Sequence, residues 1–235
     1  MPHLEQRPED LADDEHALLT SINQNPNLGL YIYATDKYAL VGRSVPERFI
    51  TALSKVLKVP CHEISIAGTD LIGVFLAGNS HCVLVPELAY PHELKQLEHL
   101  KIPHIVMKTD LTCLGNNILV NDHMAYINPE FGEREAKFIE THLKVQVLKN
   151  KLAKIPTPGA LAVLNTKGML VNNRISDEEA AQLATDFRLK IVGGTVNRGN
   201  PFIRSGLACN SHGFAIGDQS GSPEVINADE ALGFM

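Results

Sequence analysis

Five segments along the chain share one alternation of apolar and polar positions. Each segment reads as two short strands joined by a turn rich in Asp, Asn, Ser and Thr, residues that suit the left-handed backbone of hairpin turns. The segments are YIYATDKYALV (31–41), VFLAGNSHCVLVP (74–86), ILVNDHMAYINP (118–129), LAVLNTKGMLVN (161–172) and GLACNSHGFAIG (206–217). Their turn residues, at intervals of 43, 43, 43 and 45, are Asp36, Asn79, Asp122, Asn165 and Asn210. A period this regular predicts a repeat architecture.

A helix and a third strand follow the predicted hairpins. In the fourth unit, Ser176 and Glu179 form a capping box, in which each side chain pairs with a backbone N–H of the other residue. Apolar residues then recur at helical spacing, at Ala180, Leu183, Ala184 and Phe187 in this unit and at Phe49, Ala52, Leu53 and Val56 in the first. The predicted closing strands are EISIA (63–67), PHIVM (103–107), LKVQVL (143–148) and LKIV (189–192). The repeating unit is therefore strand, strand, helix, strand, an α/β design.

The two ends of the chain complete each other. The fifth unit ends after a predicted helix at 223–234, without a closing strand, while ALLTSIN (17–23) is strand-like and precedes the first hairpin. We therefore expect one domain, residues 17–235, in which five units form a ring that the N-terminal strand closes and that leaves no open edges. Residues 1–16 hold six acids and one arginine, and we expect a mobile acidic extension there.

Composition and charge narrow the class of protein. With 44% hydrophobic and 20% charged residues the chain resembles ordinary globular proteins. It lacks both an apolar run of about 20 residues for a membrane span and the apolar region of a secretory signal, so we expect a cytoplasmic protein. The net charge is −6, of which −5 falls in residues 1–16. The nearly neutral remainder does not indicate phosphate binding as a strongly basic domain would, and it leaves room for a local basic face.

The cysteine and histidine pattern favours neither disulfides nor a metal. Four cysteines occur singly, at Cys61, Cys82, Cys113 and Cys209, which is typical of reduced thiols. His81 and His212 each follow Asn-Ser and each have a cysteine nearby, but they sit three units apart, whereas zinc needs converging ligands. We expect no metal and no cofactor.

Several distinctive strings carry a resemblance to a known family. They are NPNLGLYIYATDKYALV (25–41), GVFLAGNSHCVLVP (73–86), LGNNILVND (114–122), NPEF (128–131) and GGTVNRGNPFIRSGLACNSHG (193–213). Together with the five-unit period, they resemble the translation initiation factor 6 family over about residues 17–235. The ending ALGFM resembles the archaeal branch of this family. Residues 1–16 depart from the family pattern, so the resemblance implies nothing about their role.

The resemblance implies a pentein fold, a five-fold pseudosymmetric propeller of α/β units, in a non-enzymatic factor. It also implies a monomer that binds the intersubunit face of the large ribosomal subunit. The partners there are ribosomal protein uL14 and the vicinity of the sarcin-ricin loop of rRNA, with no DNA and no membrane involved. The bound factor sterically prevents association with the small subunit.

The resemblance places candidate ribosome contacts at the start of the units. These residues are Gly29, Gly73, Asn116 and Asn117, and a structural role is equally open for them, since glycine permits close backbone approach and asparagine completes turns. Arg198 and Arg204 could each reach a phosphate or an acidic protein surface through a bidentate guanidinium.

Two other classes of function remain open. The alternative is a pentein-fold enzyme that modifies guanidinium groups with a cysteine nucleophile, for which Cys209 is the candidate because His212 lies close in sequence. Such a nucleophile needs an activated thiolate, and SGLACNSHG lacks the catalytic pattern of those enzymes. We therefore expect no catalytic residues. A protein-binding disc without a ribosomal role would fit the fold but not the distinctive strings.

Overall fold

The strands form five sheets of one design. A computed structural model describes residues 15–235, so the prediction for residues 1–14 lies outside the described residues. In every sheet the central strand is antiparallel to the first strand of its hairpin and parallel to a third strand. The strands are β1 (Ala17–Thr20), β2 (Ile32–Ala34), β3 (Ala39–Gly42), β4 (Cys61–Ile64), β5 (Ala77–Gly78), β6 (Val83–Pro86), β7 (His104–Met107), β8 (Ile118–Val120), β9 (Met124–Ile127), β10 (Gln146–Lys149), β11 (Ala162–Leu164), β12 (Gly168–Asn172), β13 (Lys190–Gly194), β14 (Leu207–Cys209) and β15 (Phe214–Gly217). The predicted five α/β units are confirmed.

One long helix accompanies each sheet. These helices are α1 (Glu47–Leu57), α3 (Pro91–His99), α5 (Glu133–Leu143), α7 (Asp177–Phe187) and α9 (Ser222–Ala231). The predicted apolar face of α1 is buried between the first and the fifth sheets. The predicted capping box of α7 also forms, because Glu179 N donates to Ser176 Oγ at 3.2 Å and Ser176 N donates to Glu179 Oε2 at 2.9 Å.

Five short helices, which the apolar pattern did not reveal, precede the first strand of each unit. They are the 3₁₀ helix Leu28–Leu30, α2 (Ile72–Phe75), α4 (Leu114–Asn117), α6 (Pro158–Leu161) and α8 (Ile203–Gly206). Each contacts the next, and α8 contacts the 3₁₀ helix, so they form a closed ring around the pseudo-five-fold axis. We call these five segments the axial helices.

The axial helices approach each other through glycine. A Cβ atom built on Gly29 would lie 2.0 Å from the carbonyl oxygen of Arg204, and one on Gly73 would lie 2.0 Å from that of Gly29. The same holds at Gly115 against Gly73, at 2.1 Å, and at Gly159 against Gly115, at 2.2 Å. A side chain at any of these four glycines would separate the helices, because real Cβ atoms do not come this close to backbone oxygen.

The N-terminal strand completes the fifth sheet, as predicted. β1 pairs in parallel with β15, from Ala17 opposite Phe214 to Thr20 opposite Gly217. His16 also belongs to this attachment. Its Nε2 lies 2.6 Å from Asp229 Oδ1, and its ring stacks on Phe234. The attachment of the chain to its last unit therefore begins before the predicted strand.

The hairpin turns differ from the prediction in the position of their first residue and in their backbone conformation. Their first residues are Thr35, Asn79, Asn121, Asn165 and Asn210, so Asp36 and Asp122 stand one position later than the three asparagines with which the sequence aligned them. No hairpin-turn residue is left-handed. Instead, the side-chain oxygen of the first residue accepts backbone N–H groups within the turn, as Asn210 Oδ1 does from His212 N at 2.9 Å and Gly213 N at 3.1 Å. This Asx turn satisfies the chain without a left-handed residue.

Left-handed residues occur in a second set of turns, which follow the closing strands. They include Asn23 and Gln24, Ala67 and Gly68, Ala153 and Lys154, and Asn197, Arg198 and Gly199. Glutamates of the long helices hold three of these turns, and two of these glutamates, Glu93 and Glu224, are buried. Glu93, 1% exposed, accepts from Ala67 N at 2.8 Å, Gly68 N at 3.0 Å and Tyr90 N at 2.8 Å. Glu224 and Glu179 accept in the same way from the turns at 198–199 and 153. Each carboxylate thus joins a helix to the preceding unit.

Replacing Glu93 by Gln should lower the free energy of unfolding by about 1.5–3 kcal/mol near pH 7, because charge-assisted hydrogen bonds are lost. Burial raises the pKa of Glu93, but hydrogen bonds from three backbone N–H groups and from Ser65 outweigh burial, and its pKa lies below the ordinary 4.5. The carboxylate's stabilisation is therefore complete above about pH 4.5 and is lost as the pH falls through the folded-state pKa. Urea unfolding at neutral and acidic pH should show the difference between wild type and Glu93→Gln shrinking on acidification.

The matched control is Glu98→Gln in the same helix, where the glutamate is exposed. It should change the free energy of unfolding by less than about 0.5 kcal/mol at neutral pH. An equal loss in the two variants would show that the buried carboxylate has no special role.

Candidate functional site

The ring has two faces with different surfaces. Since the second and third strands of each unit are parallel, the left-handed turns lie at the edge where β3 and its equivalents end, as the bond from Arg43 N to Asp70 Oδ1 (3.0 Å) shows. The hairpin turns lie at the opposite edge. We call the side with the left-handed turns and the axial helices the turn face, and the side with the hairpin turns the hairpin face.

The turn face carries exposed aromatic and basic side chains. Tyr90 and Phe202 are 52% and 43% exposed, next to α3 and α8 respectively. The exposed cations on this face include Arg43, Lys154 and Arg198. Aromatic residues and arginine are enriched in protein interfaces, so this face has the composition of a binding surface.

Among the residues that the sequence proposed as ribosome contacts, Asn116 has a side chain on the turn face without a hydrogen-bond partner among the described residues. It lies within α4, is half-buried, and makes no side-chain hydrogen bond to any residue in the 15–235 range that the structure describes. An amide at such a position keeps its donor and acceptor for a partner. Arg198, in the left-handed turn of the fourth unit, is exposed on the same face.

The other four residues proposed as ribosome contacts lie elsewhere in the structure. Gly29 and Gly73 are buried between axial helices, where backbone contacts require glycine. Asn117 is 6% exposed and bonds internally, its Oδ1 accepting from Asn128 Nδ2 at 2.7 Å. Arg204 extends into the central cavity and donates from Nε to Gly73 O at 3.0 Å. In the structure, these four residues make contacts within the protein.

The central cavity, about 350 Å³ in volume, lies on the axis and has the hairpin turns around it. Asparagines of the turns connect neighbouring units there: Asn210 Nδ2 donates to Thr35 O at 3.0 Å and to Leu57 O, at the end of α1, at 2.8 Å. Asn79, Asn121 and Asn165 reach neighbouring helix ends in the same way. These side chains hold the ring together, which supports the structural interpretation of the repeated turns.

Cys209, the candidate nucleophile of the enzyme alternative, also lines this cavity. Burial raises the pKa of its thiol to about 12, although the nearby Arg204 guanidinium opposes the shift. The thiol is buried and lies 3.5 Å from the carbonyl oxygen of Leu164. A thiol with so high a pKa is a poor source of thiolate near neutral pH. Within the described residues, no group of three or more His, Cys, Asp or Glu could hold a metal ion, and no helix is long and apolar enough to cross a membrane.

Comparison with known proteins defines the class. Residues 17–231 match the model of the eIF-6 family. The curated relatives include Translation initiation factor 6 of Thermococcus onnurineus, 36% identical over 226 residues that cover 94% of this chain and 99% of that one. Another is Translation initiation factor 6 of Saccharolobus islandicus, 36% identical over 91% of this chain and 97% of that one. Such factors are not enzymes.

The chain belongs to the eIF-6 family. This membership supports a role as a translation initiation factor, and it agrees with the pentein architecture of five units. Among solved structures, the N-terminal domain of the cyanobacterial arginine dihydrolase ArgZ aligns with a TM-score of 0.46 and 8% identity, over 72% of this chain and 67% of that one. DDAH from Pseudomonas aeruginosa aligns with a TM-score of 0.44 and 11% identity, over 71% of this chain and 68% of that one. Likeness at this level says nothing about activity.

Proposed function

We propose that this protein binds the large ribosomal subunit on its intersubunit face and sterically prevents association with the small subunit. The observation that carries the proposal is the turn face, where the unpaired Asn116 side chain lies on the same surface as exposed Tyr90, Phe202 and Arg198. The family membership supports a translation initiation role, from which we infer that the partner is the ribosome. The protein would act as a monomer in the cytoplasm.

The composition of the turn face fits a partner surface that contains both protein and RNA. Exposed aromatic rings suit a ribosomal protein, which we propose to be uL14, while Arg43, Lys154 and Arg198 suit phosphates of the nearby sarcin-ricin loop. A standard-sized interface of roughly 1,200–2,000 Å² would be enough to make bound factor and docked small subunit mutually exclusive. Inhibition then follows from occupancy alone and requires no chemical step.

The direct experiment is co-sedimentation with purified ribosomal subunits. The protein should sediment with large subunits and not with small ones, and increasing amounts should lower the joined fraction in a gradient. Asn116→Asp should weaken binding by about tenfold or more, because the new carboxylate must be desolvated against a surface that suits an amide. Arg198→Ala should have a smaller effect, which diminishes at high salt if the guanidinium meets phosphate.

Asn227→Asp is the matched control, since it makes the same chemical change at a half-buried asparagine on α9, away from the axial helices. It should bind large subunits like wild type, and both asparagine variants should keep the wild-type circular dichroism. Sedimentation with small subunits alone would contradict the proposal, as would unchanged subunit joining at saturating protein. Turnover of free arginine, peptidyl-arginine or agmatine that is abolished by Cys209→Ser would instead support the enzyme alternative.

A further inference from the structure

Arg204 breaks the five-fold repeat at the axis. Gly29, Gly73, Gly115 and Gly159 occupy the second position of the first four axial helices, and Arg204 occupies this position in the fifth. One unit therefore sends a long cationic side chain into the cavity that the others leave open. No packing requirement of the repeat accounts for it, because the other four units close the ring with glycine.

The Arg204 side chain reaches across the axis, and some N–H groups of its guanidinium make no hydrogen bond to a described residue. Its Nε donates to Gly73 O at 3.0 Å and its Nη2 to Leu76 O at 3.4 Å, both in the second unit, which is not adjacent to the fifth. A guanidinium has five N–H donors, so three remain. No carboxylate among residues 15–235 lies within ion-pair distance of it.

Arg204 is partly buried, and a cation in such a place without an adjacent carboxylate is unfavourable. Burial lowers the pKa of Arg204, yet arginine remains protonated in proteins because its pKa starts above about 12. The nearby Cys209 and Tyr33 do not supply a negative charge near neutral pH, because burial raises the pKa of both. The carboxylates that line the cavity, Asp36 and Asp122, make no ion pair with this guanidinium, so an anion that enters the cavity would gain a partner there.

Tyr33 provides a second, independent donor in the same cavity. It is only 5% exposed, lines the cavity, and lies close enough to Arg204 for the two groups to interact electrostatically. Its hydroxyl has no hydrogen-bond partner in the described part of the chain. Since burial raises its pKa, the group keeps its proton and acts as a donor.

The remaining charges of the cavity lie among the hairpin turns. Asp36 accepts from Ser211 N at 2.7 Å and Ser211 Oγ at 2.9 Å, and Asp122 accepts from Ser80 N at 2.9 Å. These carboxylates are hydrogen-bonded within the turns, although Asp122 acts electrostatically on Tyr33 and Asp36 on Cys209. Lys37, His123 and Arg188 also line the cavity there. A small anion would therefore pass mixed charges before it reaches the spare donors of Arg204.

We propose that the central cavity binds one small oxyanion, a phosphate or a carboxylate, through the guanidinium of Arg204 and the hydroxyl of Tyr33. The spare N–H groups of the guanidinium match the paired oxygens of such anions, which also accept from a phenol. This site is separate from the turn face, and its occupation does not depend on the ribosomal role.

Titration of the full chain with inorganic phosphate tests the site. Isothermal titration calorimetry in a chloride buffer of constant ionic strength should show one saturable site, and phosphate should raise the melting temperature by preferential binding to the folded state. Sodium acetate, as a second probe under the same conditions, distinguishes a carboxylate from a phosphate ligand. Arg204→Gly, which restores the residue of the other units, should weaken binding by about tenfold or more, and Tyr33→Phe by about threefold or more.

Two arginine variants serve as matched controls. Arg188→Ala removes a cation that also lines the cavity, and Arg174→Ala removes an exposed one after β12. Arg174→Ala should bind phosphate like wild type, and Arg188→Ala should weaken binding far less than Arg204→Gly does. If Arg204→Gly fails to fold, Arg204→Lys and Tyr33→Phe test the proposal instead. Lysine keeps the positive charge but lacks the bidentate guanidinium, so Arg204→Lys should still weaken binding. The proposal is overturned if neither anion binds saturably, if the Arg204 and Tyr33 variants bind like wild type, or if Arg188→Ala alone abolishes binding.

Discussion

Deletion of residues 1–23 should lower the free energy of unfolding by about 4 kcal/mol or more and should open the ring between the first and fifth units. The deletion removes β1 together with Leu18 and Ile22, which are 1% and 2% exposed in the core of the first unit. It also leaves β15 with an unpaired edge, because β1 is the third strand of that sheet. Chemical unfolding followed by circular dichroism would measure the loss.

Deletion of residues 1–14 is the matched control, because it leaves His16 and all of β1 in place. It should keep the melting temperature within a few degrees of wild type. The closed ring would be refuted if the two deletions destabilised the protein equally. Leu18→Ala offers a milder test, with an expected loss of about 2–5 kcal/mol, whereas Leu88→Ala, at a residue 50% exposed, should stay within about 0.5 kcal/mol.

Gly73→Ala should destabilise the protein by about 3 kcal/mol, at the upper end of the range for inserting atoms into a packed region. The added Cβ would lie 2.0 Å from Gly29 O and 2.6 Å from Ile32 O. Both obstacles are backbone atoms, so no rotamer change relieves the clash and the first two axial helices must separate. Urea unfolding of the purified variant measures the effect.

Gly193→Ala provides the comparison for that substitution. A Cβ there would meet Asn173 Cα at 3.5 Å, an ordinary contact, and alanine suits a strand at least as well as glycine. The free energy of unfolding should change by about 0.5 kcal/mol or less. Equal stability of Gly73→Ala and Gly193→Ala would mean that the axial helices tolerate separation, contrary to the geometry of the ring.

Much of the unit could be predicted because its signals are local. Apolar alternation located the hairpins, helical spacing located the buried face of α1, and Ser176 with Glu179 located the start of α7. The incomplete fifth unit and the strand-like segment 17–23 predicted the closing strand. Each of these inferences depends on periodicity or capping within a short stretch of chain.

The errors arise where the decisive partner belongs to another unit. The axial helices span only three or four residues each, too short for helical periodicity to appear, and contacts between units hold them. The sequence alignment of the hairpin turns was wrong by one residue at Asp36 and Asp122, because Asp and Asn are interchangeable in a turn pattern. The bonds from Asn79 and Asn210 to neighbouring units settle their equivalence with Asn121 and Thr35.

In the candidate site, too, the sequence identified the residues, while contacts between units decided where they lie. Arg204 and Arg198 looked alike as arginines in one distinctive string, and a comparison of Arg204 with the glycines at the same position of the other units was the signal that could have separated them. By itself, the sequence determined the five-unit period, the order of elements in a unit and the family, because these are properties of local pattern and of strings of residues. Only the tertiary structure decided which residues face the axis and which face the surface, because that depends on how the units contact one another around the ring.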